Sequence, residues 1–180
     1  MADVEEIVWQ GKFITAKRNG KWEYVGRARG INAAVILAIE DGHVILVEQY
    51  RVPLDRACIE LPAGLIGDDE AGEAVETAAA RELEEETGYH ADRIAIIGEF
   101  YSSPGMVSES FTLVKALGLT KVSDGGGVEG ENITVHRVAL AQLVTFIDAK
   151  RREGCGIDVK LLTLLGPQLL SENYPNKTEA

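Results

Sequence analysis

Cysteine is scarce: Cys58 and Cys155 are the only two in 180 residues, so no disulfide framework holds this chain. Their spacing makes no metal-ligand pair, and they read as buried or inert thiols in a reducing compartment. Basic residues are outnumbered, 18 Lys and Arg against 29 Asp and Glu, for a formal charge of −11. No broad basic surface follows from that balance, which argues against a nucleic-acid backbone as the main partner. Long hydrophobic runs are missing as well. The longest, residues 33–39, is far too short to span a membrane. The opening Met1-Ala2-Asp3-Val4-Glu5-Glu6 is acidic and lacks the apolar core of a signal peptide. The expectation is a cytoplasmic protein with no membrane or nucleic-acid partner.

What the chain does have is a 46% hydrophobic content, enough to bury a real core, in a length suited to one domain. Residues 7–29 alternate polar and apolar around Arg18-Asn19-Gly20-Lys21 and predict a β-hairpin. Strands are expected at 33–39, 43–50, 58–61, 94–101, 111–116 and 133–138, with a loop at 52–55. Helices are expected at 73–87, 140–152 and 158–170. The order predicts a mixed sheet with helices on both sides, α+β or α/β in class, and no internal repeat.

The densest chemistry lies in Arg81-Glu82-Leu83-Glu84-Glu85-Glu86-Thr87-Gly88-Tyr89. Glu82, Glu85 and Glu86 stand at i, i+3 and i+4, one above another on a helix face. Carboxylates that close repel, so the helix gains nothing from them unless cations offset the charge. Ala78-Ala79-Ala80 favours helix before them, and Gly88 is placed as a stop. A Glu-rich helix is ordinarily a solvated surface, and the spacing is what sets this one apart. The segment resembles the Nudix box: Gly, five residues, Glu, seven residues, Arg-Glu, an apolar residue, any residue, Glu-Glu, any residue, Gly, apolar. Gly67, Glu73, Arg81, Glu82, Leu83, Glu85, Glu86, Gly88 and Tyr89 satisfy it. In the family, however, the box glycine usually follows directly on an apolar-Ala or Pro-Ala pair. Here Pro62-Ala63 precedes Gly64, so Gly64 is the favoured equivalent, with three extra residues in the loop behind it.

The resemblance implies an α/β/α sandwich and a divalent cation, Mg²⁺ or alternatively Mn²⁺, bound by oxygen alone. Glu82 and Glu86 would be metal ligands and Glu85 a catalytic neighbour. A backbone carbonyl would add to the set, Ala63 if the box starts at Gly64 or Ile66 if it starts at Gly67. Arg81 would orient the glutamates by bidentate pairing, and Glu73 would brace the loop. The reaction implied is hydrolysis of a phosphoanhydride.

Three further segments, Glu48-Gln49-Tyr50-Arg51, Glu60-Leu61-Pro62-Ala63-Gly64 and Ser102-Ser103-Pro104-Gly105, resemble the ADP-ribose pyrophosphatase branch. Pro104 lies fifteen residues beyond Tyr89, the spacing of that branch. With them come candidate substrate contacts: Arg51 for the diphosphate, Trp22 and Arg29 from the N-terminal region, and Gly105 at the end of the third segment with Met106 after it. Each has a plainer reading, a surface salt bridge for Arg51 and hairpin packing for Trp22. Glu129-x-Glu131-x-Ile133-x-Val135-His136, after the run Gly125-Gly126-Gly127, is similar to the mobile loop carrying the catalytic base. Glu129 is thus the candidate base and Glu131 a metal ligand, with their roles open to exchange and Glu109 a third candidate. His90 and His136 are not expected as ligands.

On this reading residues 1–30 form a β extension for dimerisation and substrate contact, 31–172 the catalytic domain and 173–180 a tail. The expected activity is metal-dependent cleavage of ADP-ribose to AMP and ribose 5-phosphate by a homodimer. A GDP-mannose or dinucleotide hydrolase, and a nucleotide sensor without turnover, are the competing readings.

Overall fold

The computed structural model describes residues 4–28, 32–67, 72–128 and 130–170. At its centre β4 (Ala33–Glu40) turns through Asp41 and Gly42 into β5 (His43–Arg51). Both turn residues have left-handed backbone, φ 49° and 69°, which matches the twist of a two-residue hairpin. Ala34, Ile36 and Ala38 of β4 enter one core and Val35 the other; in β5, Ile45 joins the first core and Val44 and Leu46 the second. A strand buried on both faces reads as an unbroken apolar run. That is why the sequence here shows no alternation.

β4 and β5 pair only next to their turn, at Ile39 with Val44 and Glu40 with His43. Beyond it they part. β4 takes β9 (Ser110–Lys121) in parallel and the short β7 (Ala63–Leu65) in antiparallel, while β5 takes β6 (Arg56–Glu60) and β10 (Thr134–Ala139). With β8 (Tyr89–Tyr101) on β9 and β11 (Gly156–Ile157) on β6, the mixed sheet has eight strands among the described residues. One side is covered by α1 (Val75–Thr87), through Ala79 and Leu83. The other is covered by α2 (Leu143–Arg152) and α3 (Leu162–Leu169), through Leu143, Ile147 and Leu165. Burying each such Leu or Ile contributes roughly 1.5–3 kcal/mol. The result is the expected α/β/α sandwich, and the parting of β4 from β5 opens a crevice between them.

The N-terminal segment is richer than the single hairpin expected. β1 (Glu6–Gln10), β2 (Ile14–Asn19) and β3 (Trp22–Arg27) form a separate three-stranded sheet. The anticipated turn joins β2 to β3 at Gly20 and Lys21, and β1 is added with the ion pairs Lys17–Glu5 and Arg18–Glu6. All five residues of β1 are exposed, so no burial period marks it in the sequence. β7 and β11, of three and two residues, are too short to leave a period either. The segment at 52–55 contains a 3-10 turn, Val52–Leu54, and 3-10 turns also precede α2 and α3. The tail, 171–180, lies outside the described residues.

Candidate active site

Because α1 buries Ala79 and Leu83, its 3.6-residue period turns Glu82, Glu85 and Glu86 toward the crevice. There they line a cavity of about 610 Å³, with Arg51 and Glu60 on the β5–β6 side and Ala63 and Gly64 from β7. Arg81 gathers the carboxylates. One guanidinium nitrogen donates to Glu82 at 2.9 Å and to Glu85 at 3.4 Å, while the others reach Glu73 at 3.4 Å. Glu73 also accepts from the Gly67 N–H at 3.4 Å, so it ties loop to helix. The chain passes Glu82 so closely at Gly64 that a Cβ there would sit 1.9 Å from the Glu82 Cδ. Only glycine fits without moving that carboxylate.

Glu86 is 6% exposed, and its carboxylate accepts from the Ala63 N–H at 3.0 Å. Burial pushes its pKa up to about 8, and the charges of Glu82 and Glu131 add to the rise, against the Ala63 hydrogen bond and Arg51. Burial likewise raises Glu82, with Arg81 opposing. A cluster that resists ionisation in this way favours a cation placed among its oxygens.

The glycine run of the loop likened to a mobile one lies against the end of α1. Gly126 N–H donates to the Glu86 carbonyl at 2.9 Å and Gly127 N–H to the Glu85 carbonyl at 3.0 Å. A helix leaves its last carbonyls unpaired, and this loop supplies their donors. A Cβ on Gly125 would stand 2.4 Å from the Thr87 carbonyl carbon, so the approach depends on glycine. Beyond the run, Glu131 lines the cavity and accepts from the Val128 N–H at 2.9 Å.

The other expected site residues divide. Arg51 lines the cavity, its guanidinium donating to both oxygens of Glu60 at 2.6 and 2.9 Å. Glu109 lines it too, with one oxygen held by the Arg27 fork at 2.8 and 2.6 Å. Trp22 and Gly105 line a second cavity of about 570 Å³, between β3 and the turn after β8. Met106, 65% exposed, is among the described wall residues of neither; its carbonyl accepts from the Val25 N–H at 2.9 Å. Arg29 and Glu129 lie outside the described residues. His90 pairs with Glu84, and His136 with Glu48 at 2.8 Å beside Phe146; neither is among the described wall residues of the cavity.

The sequence assigned no site role to Glu60, Phe111 or Lys160, which also line the cavity. Glu60 carries a signal in retrospect, being a carboxylate at the end of the apolar run Cys58-Ile59, and it is 5% exposed. Lys160 carries none.

As a metal site the arrangement is open. Among the described residues no three His, Cys, Asp or Glu side chains stand so that they enclose an ion by themselves. The donors present are oxygens only, which suits Mg²⁺ or Mn²⁺, ions that keep waters and share substrate phosphates instead of needing an all-protein cage. Glu86, buried and held by the Ala63 N–H with no Lys or Arg hydrogen-bonded to its carboxylate among the described residues, is the side chain such an ion would most relieve.

A protein-family model described as NUDIX domain matches residues 28–155. The methanol dehydrogenase activator of Bacillus methanolicus is 37% identical over 119 residues, 66% of this chain and 63% of the activator, so the chain spans under two thirds of that relative. The ADP-ribose pyrophosphatase of Bacillus subtilis (strain 168) is 36% identical over 154 residues, 81% of this chain and 82% of that protein. The crystal structure of an ADP compounds hydrolase superposes with a TM-score of 0.68 at 24% identity, covering 97% of this chain and 96% of that one, a likeness of fold.

Proposed function

The chain belongs to the Nudix family, and from that premise we propose that it hydrolyses the diphosphate bond of ADP-ribose, or of a related nucleoside diphosphate sugar, giving AMP and ribose 5-phosphate. The observation that carries the reading is one cavity with the α1 carboxylates on one wall and Arg51 on another. Glu82, Glu86, Glu131 and the Ala63 carbonyl would hold the divalent cation, Mg²⁺ or alternatively Mn²⁺. When bound, such an ion neutralises phosphate charge and acidifies a water. Arg51 donates to diphosphate oxygens and orients them, while Arg81 holds Glu82 and Glu85 in place. Glu129 takes the proton of the attacking water, with Glu131 able to exchange roles with it. Glu109 is the reserve, since Arg27 already occupies one of its oxygens.

Trp22, Arg29, Gly105 and Met106 are proposed to contact the nucleoside half, the first and third from the second cavity. A homodimer is proposed, packed through the N-terminal extension 1–30 onto the catalytic domain 31–172. Ile7, Val8, Trp9 and Phe13 are each more than half exposed there. A monomer by light scattering would remove the dimer. Cytoplasmic residence is proposed from the free thiols Cys58 and Cys155, the former with its pKa pushed up to about 11 by burial. Among the described residues no helix is long and apolar enough to cross a membrane.

The test is phosphate-bond cleavage across a panel of nucleoside diphosphate compounds with Mg²⁺, Mn²⁺ or chelator. ADP-ribose should be cleaved fastest and only with metal. Faster turnover of GDP-mannose or a dinucleotide would move the substrate assignment, and binding without turnover of any compound would make the protein a nucleotide sensor. In the same assay Glu129→Gln, Glu131→Gln and Glu109→Gln identify the base. A loss under about tenfold, roughly 1.4 kcal/mol, removes a candidate.

A further inference from the structure

Lys160 reaches the wall of the carboxylate cavity from outside the segment that matches the family, which ends at residue 155. It follows β11 in a short 3-10 turn, and the turn is tied to the sheet by the Asp158 N–H donating to the Ile59 carbonyl at 3.0 Å. Asp158 grips Lys160 twice, accepting from its backbone N–H at 2.7 Å and from Nζ at 2.6 Å. The ammonium stands 5.7 Å from the centre of the Phe111 ring, itself part of the cavity wall. A lysine loses rotamer entropy when it is ordered. Here that ordering precedes any ligand.

An ammonium has three donors and no acceptor. Asp158 takes one, and the ring face attracts the charge without using another. The remaining donors serve the cavity. Arg27, Arg51 and Arg81 each face a carboxylate on the same wall, Glu109, Glu60 and Glu82 respectively. Asp158, the carboxylate paired with Lys160, is not among the described wall residues, so this ion pair turns its ammonium and not its carboxylate to the cavity.

The proposed metal and diphosphate groups all fall inside the matched segment, as suits chemistry shared by nucleoside diphosphate hydrolases. A donor supplied from beyond it is placed to read what varies, the group attached to the distal phosphate. We propose that Lys160 is a specificity-determining residue that donates to an oxygen of that sugar, with the Phe111 ring beneath the ammonium fixing where it stands. This rests on the substrate class proposed above.

The test compares two ligands that share the nucleoside and the diphosphate and differ by the sugar, ADP-ribose and ADP. Lys160→Met keeps the stem over Phe111 and removes the donors; Lys160→Arg restores a donor. The expected result for Lys160→Met is a KM for ADP-ribose raised about tenfold, kcat within twofold, and the inhibition constant of ADP within twofold. Lys160→Arg should recover part of the loss. An equal weakening of ADP would make Lys160 a diphosphate contact and overturn the inference. So would a fall in kcat at constant KM, or no change in either. If the wild-type protein cleaves a different nucleoside diphosphate sugar, the substrate proposal fails separately, and the comparison is made between that sugar and its own nucleoside diphosphate. If it cleaves none, binding of ADP-ribose and ADP by calorimetry replaces KM and inhibition, with the same ratios deciding.

Discussion

Replacing Glu86 by Gln should make the metal-free protein more stable at alkaline pH, although it removes a proposed metal ligand. The carboxyl goes from an ordinary 4.5 to about 8 on folding, chiefly by burial. Between those values the folded state binds the extra proton, so stability is lost as pH rises through the window, and the loss is complete above pH 8. At 1.36 kcal/mol per pH unit the ceiling is about 5 kcal/mol. Proton sharing with Glu82 and entry of solvent lower it, and about 2 kcal/mol is a working expectation. Gln keeps an acceptor for the Ala63 N–H and has no charge at any pH. For a domain of this size 2 kcal/mol moves Tm by about 4–8 °C. Thermal unfolding in chelator should therefore show Glu86→Gln melting above wild type at pH 9 and beside it at pH 5. Adding Mg²⁺ should stabilise wild type and leave the variant unmoved. A variant that melts at or below wild type at pH 9 in chelator would refute the argument from burial.

Metal affinity follows the same proton: the apparent dissociation constant should tighten by up to about tenfold per pH unit between pH 5 and 8, then level off, as read by titration calorimetry. Gly64→Ala pushes its Cβ onto the flexible end of Glu82, so activity should fall about 100-fold while Tm moves by less than about 3 °C. Gly67, with φ 78°, should behave the opposite way: Gly67→Ala costs about 1–2 kcal/mol of stability with activity little changed, which separates the two candidate starts of the box. Arg51→Ala leaves the buried Glu60 carboxylate without its fork and should cost roughly 2 kcal/mol; adding Glu60→Gln should return the stability but not the activity.

What could be read from the sequence was local. The i, i+3, i+4 carboxylates, the apolar strands on either side of Asp41-Gly42 and the glycine closing α1 each declare themselves within a few residues. Pairings across long separations do not. Arg27 meets Glu109 across 82 positions, and Gly64 meets Glu82 from a different element; composition could not join either pair. Lys160 reaches the cavity only because β11 lays its turn beside the end of β6. The N-terminal contacts are no more legible: Trp22 and Arg51 both suit one substrate chemically, and nothing in the sequence says that they line different cavities.

The glycine segment bound to the end of α1 sets a limit on how this scaffold could be remodelled. The carbonyls it covers belong to Glu85 and Glu86, so each of these residues is held by its main chain from the loop while its side chain faces the cavity. Lengthening the connection anywhere before Gly127 would draw donors away from the helix end, and the cost would register as misaligned carboxylates. A longer loop grafted to admit a bulkier substrate has to leave Gly126 and Gly127 on the helix end.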